Sequence, residues 1–359
     1  MFGVLDRYII KKFLGTYFFS IILIISIAVV FDVSEKIDDF IEKDAPFNAI
    51  VFDYYMNFIP YFANLFSSLF IFISVIFFTS KLAYNTEIVA ILSSGVSFNR
   101  FLRPYLISAS FLAIFSFFLN NYIIPPANAT RLQFEEQYIR NRVVNHSRNI
   151  HKQILPGQYF YLQSYTVNTQ TGYRFTLEQF KDGKLVSKLT SDQLKWDSTA
   201  GKWQTSHYYI RNIKADGDEL IKGVNLDTTL NILPEDFARR DNIVDAMNLT
   251  ELSEFIEKQK MQGSENVVAL NVKWHQRFAY PFSAFILTLI GVALSSHKRR
   301  GGIGIQIGVG IALSFSYILV MQISTNITIG NGYNPFIGSW TPNFLYSIIA
   351  LFLYKIAPK

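Results

Sequence analysis

The stretch that decides the architecture is Phe13-Leu-Gly-Thr-Tyr-Phe-Phe-Ser-Ile-Ile-Leu-Ile-Ile-Ser-Ile-Ala-Val-Val-Phe31. About 19 residues pass without a charge, and at ~1.5 Å per residue they reach roughly 28 Å, one hydrocarbon core. Arg7, Lys11 and Lys12 precede the run as in a signal peptide, but the run is long and no small-residue cleavage site follows, so it reads as a retained anchor. Further apolar stretches lie at about 54–79, with Pro60 and Asn64 inside, and at 101–124, ended by Pro125 and Pro126. The pattern resumes at 278–295, 303–323 and about 344–356, the last of them short. The expected fold is an α-helical membrane protein with six transmembrane helices, three before and three after an inserted, more polar domain. Residues 1–124 carry spans one to three, 125–265 the insert, and 266–359 spans four to six.

Composition agrees. The 359 residues are 50% hydrophobic and only 17% charged, whereas soluble domains carry about a quarter charged residues. The complete lack of cysteine excludes disulfide frameworks, thiolate metal sites and cysteine nucleophiles. A formal charge of +6 could suggest nucleic acid, but the Lys and Arg residues cluster beside the apolar runs, where a membrane surface explains them better.

The placement of those cations predicts orientation, because Lys and Arg in short loops are retained in the cytoplasm. One set of segments holds Arg7, Lys11, Lys12, Lys81, Arg100, Arg103, Lys298, Arg299, Arg300, Lys355 and Lys359. The opposite short loops hold only Lys36 and Lys43, among Asp32, Glu35, Asp38, Asp39, Glu42 and Asp44, and an uncharged stretch from Ser324 to Ser339. Both termini are therefore expected in the cytoplasm and the insert outside it.

Inside the insert, residues 158–165, 173–180, 184–189, 193–197 and 203–213 alternate apolar and polar side chains and are rich in Tyr, Phe, Val and Thr. Such periods of two predict strands. Turns are expected at Thr171-Gly172, Asp182-Gly183, Thr199-Ala200-Gly201 and Asp216-Gly217. Their spacing predicts an all-β domain of sandwich or jelly-roll type. A helix should begin at Asn248, with Glu251 three residues on and Gly263 as its stop.

No G-x-x-x-x-G-K-[ST] loop occurs, so the chain is no P-loop ATPase and any nucleotide energy must come from a partner. The glycines Gly301, Gly302, Gly304, Gly308 and Gly310 lie inside a span, where small residues let helices approach. The five histidines, His146, His151, His207, His275 and His297, form no i, i+4 pair and predict no metal site. Span interiors hold no Asp, Glu, Lys or Arg of the kind ion-coupled carriers need, and Asn57, Asn64, Gln306 and Gln322 are expected to hydrogen-bond between helices. No catalytic residues and no cofactor are expected.

The most informative polar stretch is the loop after Lys81. Thr86 can cap a short helix, Glu87 complements its positive end, Ile88, Ile91 and Leu92 form an apolar stripe, and Gly95 ends it. Such a helix either anchors at the membrane interface or docks in a groove on a cytoplasmic motor.

Three segments resemble the lipopolysaccharide-export permeases LptF and LptG: Gly3-Val-Leu-Asp-Arg-Tyr-Ile9, which is closer to LptG, Glu87-Ile-Val-Ala-Ile-Leu-Ser-Ser-Gly95, and Trp274-His-Gln-Arg-Phe-Ala-Tyr-Pro281. The likeness spans the whole chain. It implies a non-catalytic inner-membrane permease subunit with a periplasmic β-jelly roll between two sets of three spans. It also implies partners: an LptB-like cytoplasmic ATPase, a second LptF/LptG-type permease, LptC- and LptA-like jelly-roll proteins, and lipopolysaccharide as cargo, with no nucleic acid. Residues 86–95 would be the coupling helix, Glu87 contacting the ATPase, Ile88, Ile91 and Leu92 packing in its groove, and Gly95 turning the chain away. The inner faces of spans one and five would line a lateral gate. The outer end of span one departs from enterobacterial LptG, being acidic where that protein has lysines: either Lys36 substitutes as the head-group candidate, or the exported lipid is less phosphorylated, or a partner subunit supplies the positive charge. Two other readings are a mechanotransmitting permease, a class usually with fewer spans, and a membrane enzyme, for which the insert shows no Ser-His-Asp set or paired acids.

Overall fold

A computed structural model describes residues 3–139, 148–214, 216–230, 232–238, 241–296 and 302–357. The chain divides into two compact units: Met1–Arg140 with Asp245–Leu252 and Val268–Lys359, and Asn141–Val244 with Ser253–Val267.

The first unit is helical. The opening apolar run lies in α1 (Val4–Glu42), 39 residues long, or roughly 58 Å, about twice a hydrocarbon core. One residue per turn is buried on it (Ile9, Phe13, Tyr17, Ile21, Ile25), at the spacing of a helix that packs one stripe inward. Phe19, Ile22, Leu23, Val30 and Phe31 remain exposed, as lipid or a membrane partner allows. The acidic stretch expected as a loop from Asp32 is instead the last turns of α1. An Asp32–Lys36 pair at i, i+4 and Phe40, buried among Tyr54, Phe58 and Phe134, keep it helical. It ends where Asp44 takes a φ of 49° and the Ala45 N–H bonds the Phe40 carbonyl at 2.9 Å, a left-handed C-terminal cap.

The second long helix, α2 (Phe47–Tyr84), is followed by the short α3 (Glu87–Ser93) and by α4 (Phe98–Tyr138). Pro125 and Pro126 do not end the third span as the sequence suggested. Residues Leu119–Ile123 adopt the wider π-helical register, and the prolines fall in the first turn of the α-helical segment that restarts at Ile124. A first turn needs no backbone donor there. Across α2 and α4, Asn64 donates to Asn120 at 3.0 Å and accepts from Ser116 at 2.7 Å. Asn57, expected to bridge helices, instead donates to the carbonyls of Phe52 and Asp53 on its own helix, both at 2.9 Å, beside the π-helical turn Ile50–Tyr55.

Among the described residues the second unit carries six strands in one antiparallel sheet, in the sequential order β1 (Arg148–Leu155), β2 (Gln158–Thr166), β3 (Thr171–Lys181), β4 (Lys184–Asp197), β5 (Lys202–Lys214) and β6 (Gly217–Thr228). The two short strands expected at 184–189 and 193–197 are one, since β5 pairs along both parts. Phe160, Leu162, Phe175, Leu189, Leu194 and Trp203 form a buried cluster that also includes Ile232 and Phe237. Phe237 stacks on Tyr165, ring centroids 4.4 Å apart, and the Trp203 indole N–H donates to the Ile232 carbonyl at 2.8 Å. Asp182-Gly183 is a turn with both φ positive, as two-residue hairpins require. Thr171-Gly172, expected as a turn, lies in β3. Its glycine answers a packing need, because a Cβ there would sit 2.6 Å from the Leu162 side chain.

The helix α5 (Leu249–Met261) starts with a reciprocal cap, Asn248 N–H to Glu251 Oε2 and Glu251 N–H to Asn248 Oδ1, each 2.9 Å, and stops at Gly263 with φ 68°. The chain then forms α6 (Val267–Ser295), α7 (Gly302–Asn331) and α8 (Pro335–Ile356). Among the described residues six helices are thus long and apolar enough to cross a membrane. Of the span-five glycines, Gly310 meets α2 so closely that a Cβ would approach Ile76 Cδ1 to 2.1 Å, while Gly304 and Gly308 face open space and Gly301 lies outside the described residues. The close-packing reading thus applies within this chain to Gly310.

Truncation of Trp203 to Ala should remove about 3–5 kcal/mol from the β unit. Limited proteolysis of the purified chain during heating should then cut within residues 148–228 at a lower temperature than in the wild type, with the helical unit still intact.

Candidate docking site

The short helix α3 turns out of α2 through a strained corner. Thr86 does not cap it by side chain, as expected; the residue sits at φ 63° and its hydroxyl donates to the Asn85 carbonyl at 2.6 Å. A threonine in the left-handed region costs energy that surrounding contacts must supply. Those contacts come from Ile88, which is 1% exposed and belongs to the same buried cluster as Ile9, Phe13, Leu82, Phe98 and Phe101. Ile91 and Leu92 are half-buried against that cluster. At the far end Gly95, φ 87°, lets the chain turn into α4.

The apolar stripe therefore faces inward, which corrects the expectation that Ile88 would enter a partner's groove: a side chain with no accessible surface has nothing to offer one. What α3 presents is its other face, Val89, Ala90, Ser93 and Ser94, with Tyr84 and Asn85 before it. Glu87 lies at the rim, half-buried, where its carboxylate accepts from Asn85 Nδ2 at 3.1 Å and from the Tyr8 hydroxyl at 3.4 Å. Arg7, Lys11, Lys81 and Arg103 are exposed on the neighbouring helices.

An ion pair missed by the sequence reading lies beside this helix. Arg100 Nη1 and Nη2 donate to Asp6 Oδ1 and Oδ2 at 2.6 and 2.7 Å, and the Gly3 N–H donates to Asp6 Oδ2 at 3.0 Å. The one available signal was an aspartate in the opening turn of a membrane helix, within the quoted Gly3–Ile9 segment.

Near the C-terminal end of α1, Lys36 is already engaged. It pairs with Asp32 and donates to the Tyr54 hydroxyl, while Tyr55 donates to Asp32 Oδ2 at 3.1 Å. Asp32 thus neutralises the head-group candidate. Among the described residues no three His, Asp or Glu side chains converge as a metal site; His146 and His297 lie outside those residues, as do Lys298, Arg299, Arg300 and Lys359.

The family described as "Lipopolysaccharide export system permease LptF/LptG" matches residues 7–356. The chain belongs to the LptF/LptG family. Membership carries the coarse function, an inner-membrane, multi-pass permease of lipopolysaccharide export, and accords with six apolar helices around an inserted antiparallel sheet. No curated protein sequence matches the chain.

For this LptF/LptG permease, Ile88→Ala should cost about 2–5 kcal/mol, because it empties a closed site, whereas Val89→Ala should cost little. Thermal unfolding in detergent should show a lowered midpoint for the first and an unchanged one for the second.

Proposed function

We propose that the chain is the non-catalytic permease subunit of an ABC-type exporter, docked through the outward face of α3 on an LptB-like cytoplasmic ATPase and paired with a second LptF/LptG-type permease. One observation carries the docking reading. Helix α3 is fastened to the membrane core by Ile88 yet leaves Val89, Ala90 and Ser93 bare, so a partner seated there pushes on a rigid part of the permease. The helix-in-groove mode suits so short an element. Glu87, at the rim with its carboxylate accepting two hydrogen bonds, is the polar contact; Ile91 and Leu92 supply the edge of the apolar footprint, and Gly95 the exit turn.

Both termini lie in the cytoplasm and the β unit in the periplasm, on the argument of cation placement. Lipopolysaccharide enters from the outer leaflet of the inner membrane between span one and the partner permease. The bare apolar faces of α1 and α7 suit acyl chains, which they meet by van der Waals contact. The partner's ATP cycle then expels the lipid towards LptC- and LptA-like jelly rolls, which join the sheet by strand addition at an edge. Lys36 contacts a lipid phosphate by exchanging its Asp32 partner. Six membrane-length helices favour this reading over a mechanotransmitting permease.

The experiment is reconstitution with the ATPase and the second permease in proteoliposomes containing lipopolysaccharide. ATP-dependent lipid release should be lost with Val89→Asp, which places a carboxylate on the docking face, and the ATPase should no longer co-purify. Glu87→Ala should weaken coupling by about 5-fold or more, the scale of one lost interfacial contact of ~1–3 kcal/mol. Unchanged release in both variants would sink the docking reading.

A further inference from the structure

The first two turns of α1 are gripped from two sides. On one side stands α4, whose Arg100 holds both oxygens of Asp6 in a parallel fork, the geometry in which a guanidinium fixes distance and orientation together. Asp6 is 4% exposed. On the other side stands α3: Tyr8 reaches Glu87, and Ile9 shares the buried cluster of Ile88.

Helix preference does not explain Arg100. It occupies the third position of α4 after the capping Ser97, whose side chain accepts its N–H. A cation in a helix's first turn opposes the macrodipole, and an acid is the favoured residue there. Its partner acid stands on another helix: Asp6 accepts from the Arg100 guanidinium and from the Gly3 N–H at the start of α1. Nor does stability alone call for such a pair, because the Arg100 side chain is 37% exposed and an ion pair open to solvent on one side contributes little. What an ion pair of this form adds is a fixed register between two elements.

Beyond that grip α1 packs inward along the stripe from Ile9 to Ile25, with Leu14, Phe18, Ile24 and Val29 half-buried beside it and the Tyr17 hydroxyl 2.7 Å from Ser67 Oγ. Its far end is held by Phe40 and the Asp32–Lys36 pair. A continuous helix moves as one body, so a displacement delivered to its first turns reaches the rest of the span.

We propose that Asp6 and Arg100 are positioning residues for energy coupling. Their ion pair ties the start of span one to the corner between α3 and α4, so that a displacement imposed on α3 is delivered to span one rather than absorbed between the helices. This rests on the docking reading above.

The full chain, with ATPase and second permease in lipopolysaccharide proteoliposomes, tests it through two parallel readouts, ATP hydrolysed and lipid released. Asp6→Asn should leave ATPase association intact and lower lipid released per ATP at least ~5-fold, the lower bound of a typical coupling energy. Arg100→Lys, which keeps the charge and loses the fork, should do the same. The swapped double variant Asp6→Arg with Arg100→Asp should restore most of the release, which a mere loss of folded protein in the single variants would not predict. Release per ATP within about 2-fold of wild type in both single variants would overturn the proposal. The docking arm separates the two ideas: if Val89→Asp dissociates the ATPase while Asp6→Asn changes nothing, this inference alone fails; if Val89→Asp changes nothing, both fail.

Discussion

In hydrocarbon no water is present to satisfy a backbone N–H or C=O, so each must find its partner inside the chain. Most of the architecture follows from that constraint. The spans are helices because helices close their own hydrogen bonds, and at Pro125 and Pro126 the chain adopts a π-helical turn and restarts. Some polar side chains within the helical unit find partners in the same way: Asn64 bonds both Asn120 and Ser116, and Tyr317 donates to Asn343, which donates in turn to the Ala279 carbonyl. In the β unit the strands pair with one another along the whole sheet, so their backbone groups are satisfied between neighbours.

The same constraint gives α3 its character. A helix of two turns is too short to be stable alone, so it exists here because Ile88, Ile91 and Leu92 extend the membrane core beneath it. This makes it a rigid knob rather than a free arm. The structure supplies the separation of two faces, one committed to the permease and one left over.

Much of the fold was legible beforehand. Charge-free runs of membrane length, the alternation in residues 158–213, and the Asn248–Glu251 cap with Gly263 each report a local rule that the folded chain obeys. Less legible were features in which two distant segments meet. The acidic stretch after Phe31 looks like a loop by composition, but Phe40 packs with Tyr54 and Phe134 and holds it helical. Gly172 resembles a turn residue, yet its small size serves Leu162 on the neighbouring strand. Thr86 has the right type for a cap, and the corner imposed by the packing of Ile88 turns its side chain to other use.

The sequence by itself determined the solvent of each segment, the number of membrane-length helices and the place of the β insert, because hydrophobic period and length act along the chain. Tertiary structure alone decided which side of the Glu87–Ser93 helix is buried, that Lys36 is bound to Asp32 and Tyr54, and that Asp6 meets Arg100. An amphipathic stripe says that one face will be covered without saying by what, and an ion pair between residues far apart in sequence leaves no periodic trace.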